Sequence, residues 1–235
     1  KARIQAMLLP TLMEWVSDTA EPDAGLLNYR KLSDALMEKT WFLRMLRDEG
    51  VVGERLMHVL GTSPYVSGLL VSAPDTIKLY GDGAAGPKLL DTDPATVGRS
   101  LVATANRHTD PDKAIGVARA LRRAELARVA SADLLGMMDV ESVCTSLSLV
   151  WDNVLEAALA AEIRGWCAQH PDEPVPATIS VIGMGRLGGG ELGYGSDADV
   201  MFVCEPAVGD DGEPLADDND AVRWSIGICD ALRRR

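Results

Sequence analysis

Residues 183–203 read GMGRLGGGELGYGSDADVMFV and join a glycine-rich stretch to an Asp-Ala-Asp pair that opens a short apolar run. Asp197 and Asp199 are two residues apart, so on an extended strand their carboxylates point to the same face, where one divalent cation can bridge them. The glycines let backbone N–H groups approach phosphate oxygens closely. Because nucleotidyl transfer depends on holding phosphates and metal ions in line, this combination indicates metal-assisted nucleotide chemistry.

The composition indicates a folded and acidic chain. Its 235 residues suffice for one large domain or two modest ones, and 47% are apolar against 25% charged. The formal net charge of −12 disfavours a general nucleic-acid binder, which presents a basic face. We therefore expect no nucleic-acid partner, and Mg²⁺ suits this acidic chain better.

The cysteines and the apolar runs bear on the cellular location. The four cysteines are Cys144, Cys167, Cys204 and Cys229. They have no C-x-x-C spacing, which predicts reduced, mostly buried thiols and a cytoplasmic protein. No apolar run reaches about eighteen residues, so we expect no membrane association. Because the sequence lacks an initial methionine and stops at Arg235 inside an unfinished helical pattern, we also expect it to be part of a longer protein.

The front of the chain has a helical pattern. From 26 to 168, apolar residues recur at three- and four-residue steps. A breaker and loop over 81–87 separates the earlier predicted helices from the later ones. Asp110 followed by Pro111 predicts the start of a long helix to about residue 135, and Asp139 begins another to about residue 170.

The pattern changes after a proline-containing linker. The runs 178–182 and 200–203 predict two strands, and the acidic stretch 205–220 predicts a loop. Asp220 is expected to cap a final helix over 221–235. The predicted fold class is therefore a mostly α-helical front followed by the start of an α/β (α+β) core.

Two other interpretations of the glycine stretch remain open. Residues 183–188 satisfy G-x-G-x-x-G after a predicted strand, and Glu205 lies where a dinucleotide-binding oxidoreductase has its ribose-binding acid. That class needs a continuous helix after the glycines, and each further glycine there costs about 1 kcal/mol relative to alanine. It also leaves Asp197 and Asp199 without a function. The other interpretation is a glycine-rich turn that the aspartates merely cap.

The block VIGMGRLGGGELGYGSDADVMFV at 181–203 resembles the signature of the bifunctional glutamine synthetase adenylyltransferase/adenylyl-removing enzyme family, which belongs to the DNA polymerase β-like nucleotidyltransferase superfamily. The stretch LRRAELARVASADLL at 121–135 is similar to the helix before this core. The family has two nucleotidyltransferase units in one polypeptide, one removing AMP from glutamine synthetase and one attaching it. ELGYGSD at 191–197 is similar to the attaching unit.

The resemblance implies a division of the chain. Residues 1–108 are expected to form a helical linker or regulatory region. Residues 109–235 are expected to begin the adenylyltransferase unit, with helices over 109–170 and the nucleotidyltransferase core over 177–235.

The resemblance also implies a reaction. Asp197 and Asp199 are expected to bind Mg²⁺ and act as the catalytic carboxylates, ATP is the substrate, and a tyrosine hydroxyl of glutamine synthetase is the acceptor. The superfamily carries a third carboxylate on a later strand, and the sequence reaches Arg235 before any such strand. We therefore expect weak or no AMP transfer by this chain alone.

Four residues are expected to contact the phosphates of ATP. Ser196 and the N–H groups of Gly195 and Gly185 are candidates to hold phosphate oxygens, and Arg186 to pair with a phosphate. A plain turn residue is the alternative for Ser196, and a surface arginine is the alternative for Arg186. The superfamily has glycine or serine where this sequence has Arg186, which is a departure from its pattern.

The partners follow from the same resemblance. Glutamine synthetase is expected as the protein substrate, with a PII-type signal protein and glutamine as regulators of the whole enzyme. The alternative class is a regulatory or docking helical module with an incomplete nucleotide site. The two classes differ in the function that they assign to the helices over 26–168.

Overall fold

A computed structural model describes residues 2–83 and 88–235 of the chain. The helices and strands in this part are α1 Ala2–Ser17, α2 Pro22–Ala35, α3 Thr40–Asp48, α4 Gly50–Thr62, α5 Pro64–Ser72, a 3₁₀ helix Pro74–Tyr80, α6 Pro94–Ala105, α7 Pro111–Leu134, α8 Val140–Gln169, β1 Ala177–Gly183, α9 Gly185–Gly188, β2 Val200–Pro206 and α10 Asp218–Arg234. The predicted fold class, a helical front followed by the start of an α/β core, is confirmed. Of the predicted loop at 81–87, residues 84–87 lie outside the described residues.

The two long helices begin as predicted. The Asp110 carboxylate accepts a hydrogen bond from the N–H of Asp112 at 3.0 Å, and Asp139 accepts one from Ser142 at 2.7 Å. These bonds satisfy N–H groups that the first turn of a helix leaves without an internal partner. The Ser142 N–H also lowers the pKa of Asp139, because it stabilises the ionised carboxylate.

The last part of the chain differs from the prediction in two respects. The N-cap of α10 is Asp217, whose carboxylate accepts the N–H of Asp220 at 2.8 Å, so the prediction that Asp220 caps this helix is wrong. Strand β2 extends to Pro206, and a further antiparallel bridge joins Val208 to Pro214. The predicted loop over 205–220 is therefore shorter and partly ordered by backbone pairing.

Packing divides the chain into two compact units. One comprises residues as far as Asp93 together with Arg123–Val143, and the other comprises Pro94–Arg122 together with Cys144–Arg235. The predicted division of function between residues 108 and 109 follows a different line, and it stays a prediction.

The first unit is a helical cluster in which α2 and α4 approach closely. A Cβ atom on Gly25 would lie 2.5 Å from Cγ2 of Val16 and 3.0 Å from Cα of Gly61, so a larger residue does not fit. Around this crossing the core is made of leucine side chains that are at most 1% exposed: Leu32, Leu56, Leu60 and Leu70. Burial of these side chains supplies most of the stability of such a cluster.

The same unit also contains buried polar side chains that bond to one another. The Arg128 guanidinium forms a bidentate ion pair with the carboxylate of Glu125, and it also donates to the carbonyl of Leu89 at 2.5 Å. Nearby in sequence, the fully buried Tyr80 hydroxyl lies 2.6 Å from Oγ of Ser131. Burial raises the pKa of Tyr80, since the phenolate would lose its hydration.

The second unit combines an alanine-rich helical core with a small sheet. Its buried cluster includes Leu101, Ala105, Ala114, Ile115, Ala118, Val154, Ala157, Ala158 and Ala161. The small side chains let the helix backbones approach closely. Beside this cluster, β1 pairs antiparallel with β2, and α10 contacts both strands.

Two predictions about composition can be compared with the structure. All four cysteines are free, but only Cys229 is buried and the other three are half-buried, so the prediction of mostly buried thiols is wrong. Helix α8 is, among the described residues, long and apolar enough to cross a membrane, and half of its most apolar window is buried within the protein. A core helix of a soluble protein passes the same test, so the expectation of no membrane association stays a prediction.

Candidate functional site

The β1–β2 hairpin has two different faces. Ile179 pairs with Cys204 and Val181 with Phe202, and these side chains are half-buried on the face that lines grooves with α8 and α10. Ile182 lies opposite Met201 on the other face, where the two side chains are 42% and 47% exposed. One face of the sheet is therefore covered by helices within this unit, and the other is open.

The acid pair lies at one end of the open face. The N–H of Met184 donates to the carbonyl of Asp199 at 2.8 Å, which continues the ladder one step beyond β1 and β2. Asp197 and Asp199 alternate in register with the exposed Met201, and both are exposed. They precede β2 rather than lying inside it. The two-residue spacing therefore predicts that both carboxylates face the open side, and their exposure agrees with it.

Both carboxylates are free to bind a cation. Neither the Asp197 nor the Asp199 side chain has a hydrogen bond or ion pair to any residue that the structure describes. Within 2–83 and 88–235 no group of three or more potential metal ligands is found. Glu205 shares their face of β2, but at about 3.3 Å per residue it lies roughly 20 Å beyond Asp199. Mg²⁺ is commonly held by one or two carboxylates, water and substrate phosphates, and the pair fits that pattern.

The glycine stretch folds into a compact turn. Helix α9 is a single turn, and its first residue, Gly185, has φ +52°, a left-handed conformation that favours glycine. Gly190 has φ +70° where the chain leaves this turn. At Gly188, a Cβ atom would lie 2.4 Å from the carbonyl oxygen of Gly183. The turn therefore needs glycine for two reasons, backbone conformation at some positions and close packing at another.

Arg186 and Ser196 hold the segment that follows the turn. Nε of Arg186 donates to the carbonyl of Glu191 at 2.9 Å, and Oγ of Ser196 accepts the N–H of Gly193 at 3.0 Å. Nη2 of Arg186 and Oγ of Ser196 lie 3.6 and 3.5 Å from the point that a Cβ on Gly193 would occupy. The two predicted phosphate contacts thus converge on Gly193. Each retains a donor for a ligand, the terminal guanidinium nitrogens and the serine O–H.

The remaining predicted residues divide between the two ends of the loop. Oδ2 of Asp199 lies 3.7 Å from the point that a Cβ on Gly185 would occupy, so the metal-binding candidate and the first glycine of α9 are neighbours. Gly195 is exposed, and a Cβ there would meet no atom within 4 Å. The N–H groups of Gly185 and Gly195 donate to no described residue. Both are available to an anion.

The strand pairing excludes one alternative. A dinucleotide-binding fold places G-x-G-x-x-G between parallel strands joined by a crossover helix. Here the segment lies between antiparallel strands, and the helix that connects them, α9, has four residues. The dinucleotide-binding interpretation is therefore wrong.

Two residues that hold the loop have no recognisable signal in the sequence. Leu192 is completely buried, and its N–H donates to Oγ of Ser148 on α8 at 3.3 Å. Ser148 lies in an ordinary helical pattern, 44 residues away. Only tertiary packing brings it to the loop.

A hairpin with two free carboxylates beside a glycine-built turn has the parts of a metal-assisted transferase site. The family model described as glutamate-ammonia ligase adenylyltransferase matches residues 53–235, and the chain belongs to this family. The resemblance noted from the signature at 181–203 is therefore confirmed.

Curated relatives agree with the family assignment. Bifunctional glutamine synthetase adenylyltransferase/adenylyl-removing enzymes of Corynebacterium glutamicum, Mycolicibacterium smegmatis and Mycobacterium leprae are similar to this chain, with 66%, 59% and 57% identity over 237, 233 and 235 residues. The alignments cover 99–100% of the chain and 22% of each relative. The chain thus spans about a fifth of the length of these relatives.

Proposed function

We propose that this chain contributes the AMP-attaching centre of an enzyme that transfers AMP from ATP to a tyrosine of glutamine synthetase and that also removes AMP by phosphorolysis. The observation that carries the proposal is the free, exposed pair Asp197 and Asp199 at the end of the open sheet face, beside the glycine turn. The relatives carry both activities in their names. Control of nitrogen assimilation is the corresponding biological function.

The chemistry follows from charge. Attack by a tyrosine oxygen on the α-phosphate builds negative charge on the phosphate oxygens, and pyrophosphate leaves. Asp197 and Asp199 would hold Mg²⁺, which supplies positive charge at that point. Among the described residues no arginine or lysine forms an ion pair with either carboxylate, so neither would have to give up a partner to bind the ion.

The loop would hold the phosphates. The free N–H groups of Gly185 and Gly195, the O–H of Ser196 and the terminal nitrogens of Arg186 are the available donors. All four precede the acid pair in sequence, two at the start of α9 and two directly before Asp197, and hydrogen bonds from them would orient the triphosphate.

The test is Asp199→Asn in a full-length enzyme of the family that carries this segment, with attachment and removal of AMP assayed separately. We expect attachment to fall about 10²-fold or more, because a bound metal ion contributes several kcal/mol to charge stabilisation. Removal should persist. Asp210→Asn, an exposed residue of the acidic loop, makes the same charge change as a control.

The other outcomes have definite meanings. Loss of removal alone would assign the segment to the other nucleotidyltransferase unit. Retention of both activities in a folded Asp199→Asn enzyme would reduce the motif to a structural turn. Circular dichroism of each variant distinguishes loss of the site from loss of the fold.

Regulation is a second part of the proposal. The helices over 26–168 would receive a PII-type signal protein, glutamine or glutamine synthetase itself, in the cytoplasm, where the four free cysteines stay reduced. Surface substitutions there should change the response to these regulators while binding of Mg²⁺ and ATP persists. If such substitutions abolish nucleotide binding instead, the helices belong to the catalytic centre.

A further inference from the structure

Ser148 joins α8 to the loop that carries the acid pair. Its side chain is 4% exposed, and its Oγ accepts the N–H of Leu192 at 3.3 Å while donating to the carbonyl of Cys144 at 2.9 Å. A hydroxyl that donates and accepts at the same time is fixed in orientation, because its proton is already committed. The N–H of Leu192 is therefore held to one point on a long helix.

The position of Leu192 makes this contact relevant to the site. Its side chain is completely buried, and it lies between the carbonyl of Glu191, which Arg186 binds, and the turn at Gly193, which Ser196 closes. Asp197 follows that turn directly. Leu192 is thus joined to the acid pair by a short segment whose backbone is bonded at Glu191 and at Gly193.

We propose that Ser148 is a positioning residue for the acid pair. It holds the loop in a fixed position on α8, and this places Asp197 and Asp199 correctly to bind Mg²⁺ beside the triphosphate. This inference rests on the proposed AMP-attaching function. Ser148 touches neither carboxylate. It acts through the backbone of Leu192, which loses its acceptor when the hydroxyl is removed.

The expected effect is kinetic. In Ser148→Ala the buried N–H of Leu192 has no acceptor, and the loop gains freedom to shift. Because a displacement of about 1 Å can reduce a rate by about 10²-fold, we expect kcat for AMP attachment to fall roughly tenfold or more. The Mg²⁺ concentration for half-maximal rate should rise. The KM for glutamine synthetase should not change, since the loop-to-helix contact is buried.

The experiment compares variants of a full-length enzyme of the family that carries this segment. Ser148→Ala removes the hydroxyl, and Ser148→Cys keeps a similar volume but offers a weaker acceptor, so a smaller effect in the same direction is expected. Val154→Ala, also on α8 and 8% exposed, weakens the core of the same unit without contacting the loop. Hydrogen exchange of the Leu192 amide reports directly on the contact.

The inference is supported if both Ser148 variants speed exchange at Leu192 and raise the Mg²⁺ requirement, while Val154→Ala does neither at equal loss of melting temperature. It is overturned if Ser148→Ala and Val154→Ala have the same Mg²⁺ requirement, or if hydrogen exchange at Leu192 is unchanged in Ser148→Ala. Asp199→Asn separates the two proposals. If Asp199→Asn attaches AMP at the full rate, the proposed function itself is refuted. If Asp199→Asn is inactive but Ser148→Ala attaches AMP normally, only the positioning role of Ser148 is refuted.

Discussion

Gly188→Ala tests the packing of the glycine turn. A Cβ at this position would lie 2.4 Å from the carbonyl oxygen of Gly183 and 3.0 Å from its carbonyl carbon, both backbone atoms at the end of β1. Ordinary contact begins at 3.4 Å, so the oxygen is about 1.0 Å too close. Neither partner is the mobile end of a side chain. The turn must therefore move away from the strand.

The expected cost follows from two opposing effects. Overpacking of this kind costs about 1–3 kcal/mol. Alanine also restricts the unfolded chain more than glycine does, which adds about 0.4–1 kcal/mol of stability where the backbone conformation tolerates alanine. Gly189→Ala is a matched control, because Gly189 has an ordinary φ of −83° and its Cβ would meet nothing closer than 3.5 Å. Only the second effect applies there, so the two variants should differ by about 1–3 kcal/mol.

Urea unfolding of the two variants measures this difference, and AMP attachment by the full-length enzyme measures its consequence. Because Gly185 in the same turn lies beside the Asp199 carboxylate, a shift of about 1 Å should reduce attachment about 10²-fold in Gly188→Ala. Gly189→Ala should retain it. Equal stability and equal activity of the two variants would refute the steric reasoning.

Three further predictions concern separate parts of the chain. Tyr80→Phe should lower the free energy of unfolding by about 1 kcal/mol in urea titrations, because the buried hydroxyl loses its bond to Ser131; an unchanged midpoint would contradict this. Partial burial raises the pKa of Asp152 above its ordinary 3.8, so its charge begins to oppose folding as pH rises past the unfolded pKa and opposes it fully above the raised pKa. Asp152→Asn should therefore raise the melting temperature near neutral pH and give no gain in acid below the unfolded pKa, and a gain that persists there would argue against desolvation. Gly195→Ala should leave stability nearly unchanged, since its Cβ meets nothing within 4 Å, but should weaken ATP binding in calorimetric titrations; unaltered affinity would exclude close phosphate approach at Gly195.

Local signals in the sequence predicted much of the fold. Asp110 and Asp139 carry capping side chains in the expected positions, and both long helices begin after them. Exposure alternates through 197–203, which agrees with the prediction that the two aspartates share a side. Such features depend on near neighbours in the chain, and tertiary context did not override them.

Other features depended on information that a single sequence does not carry. Residues 1–108 were expected to be helical, but the bounds of helix α1 were not predicted: it contains Pro10 in its interior, and proline usually ends a helix. The neighbours of Asp217 and Asp220 give no local reason to prefer one as the cap, and the packing of α10 decides. Ser148 was not predicted, because its contact with Leu192 spans 44 residues.

Some of the glycines between 183 and 195 are required by the fold, and others are not. Gly185 and Gly190 have positive φ, and a Cβ at Gly183 or Gly188 would lie 3.1 Å or less from a neighbouring atom, so the fold alone accounts for these four. Gly189, Gly193 and Gly195 meet neither requirement, and of these only Gly195 has open space within 4 Å of its Cβ position. A residue whose glycine is not needed for the turn, placed beside Ser196 and two residues before Asp197, is best explained by a group that must approach the backbone closely. A triphosphate held between these donors and a carboxylate-bound cation satisfies that requirement, whereas a purely structural turn would tolerate alanine there.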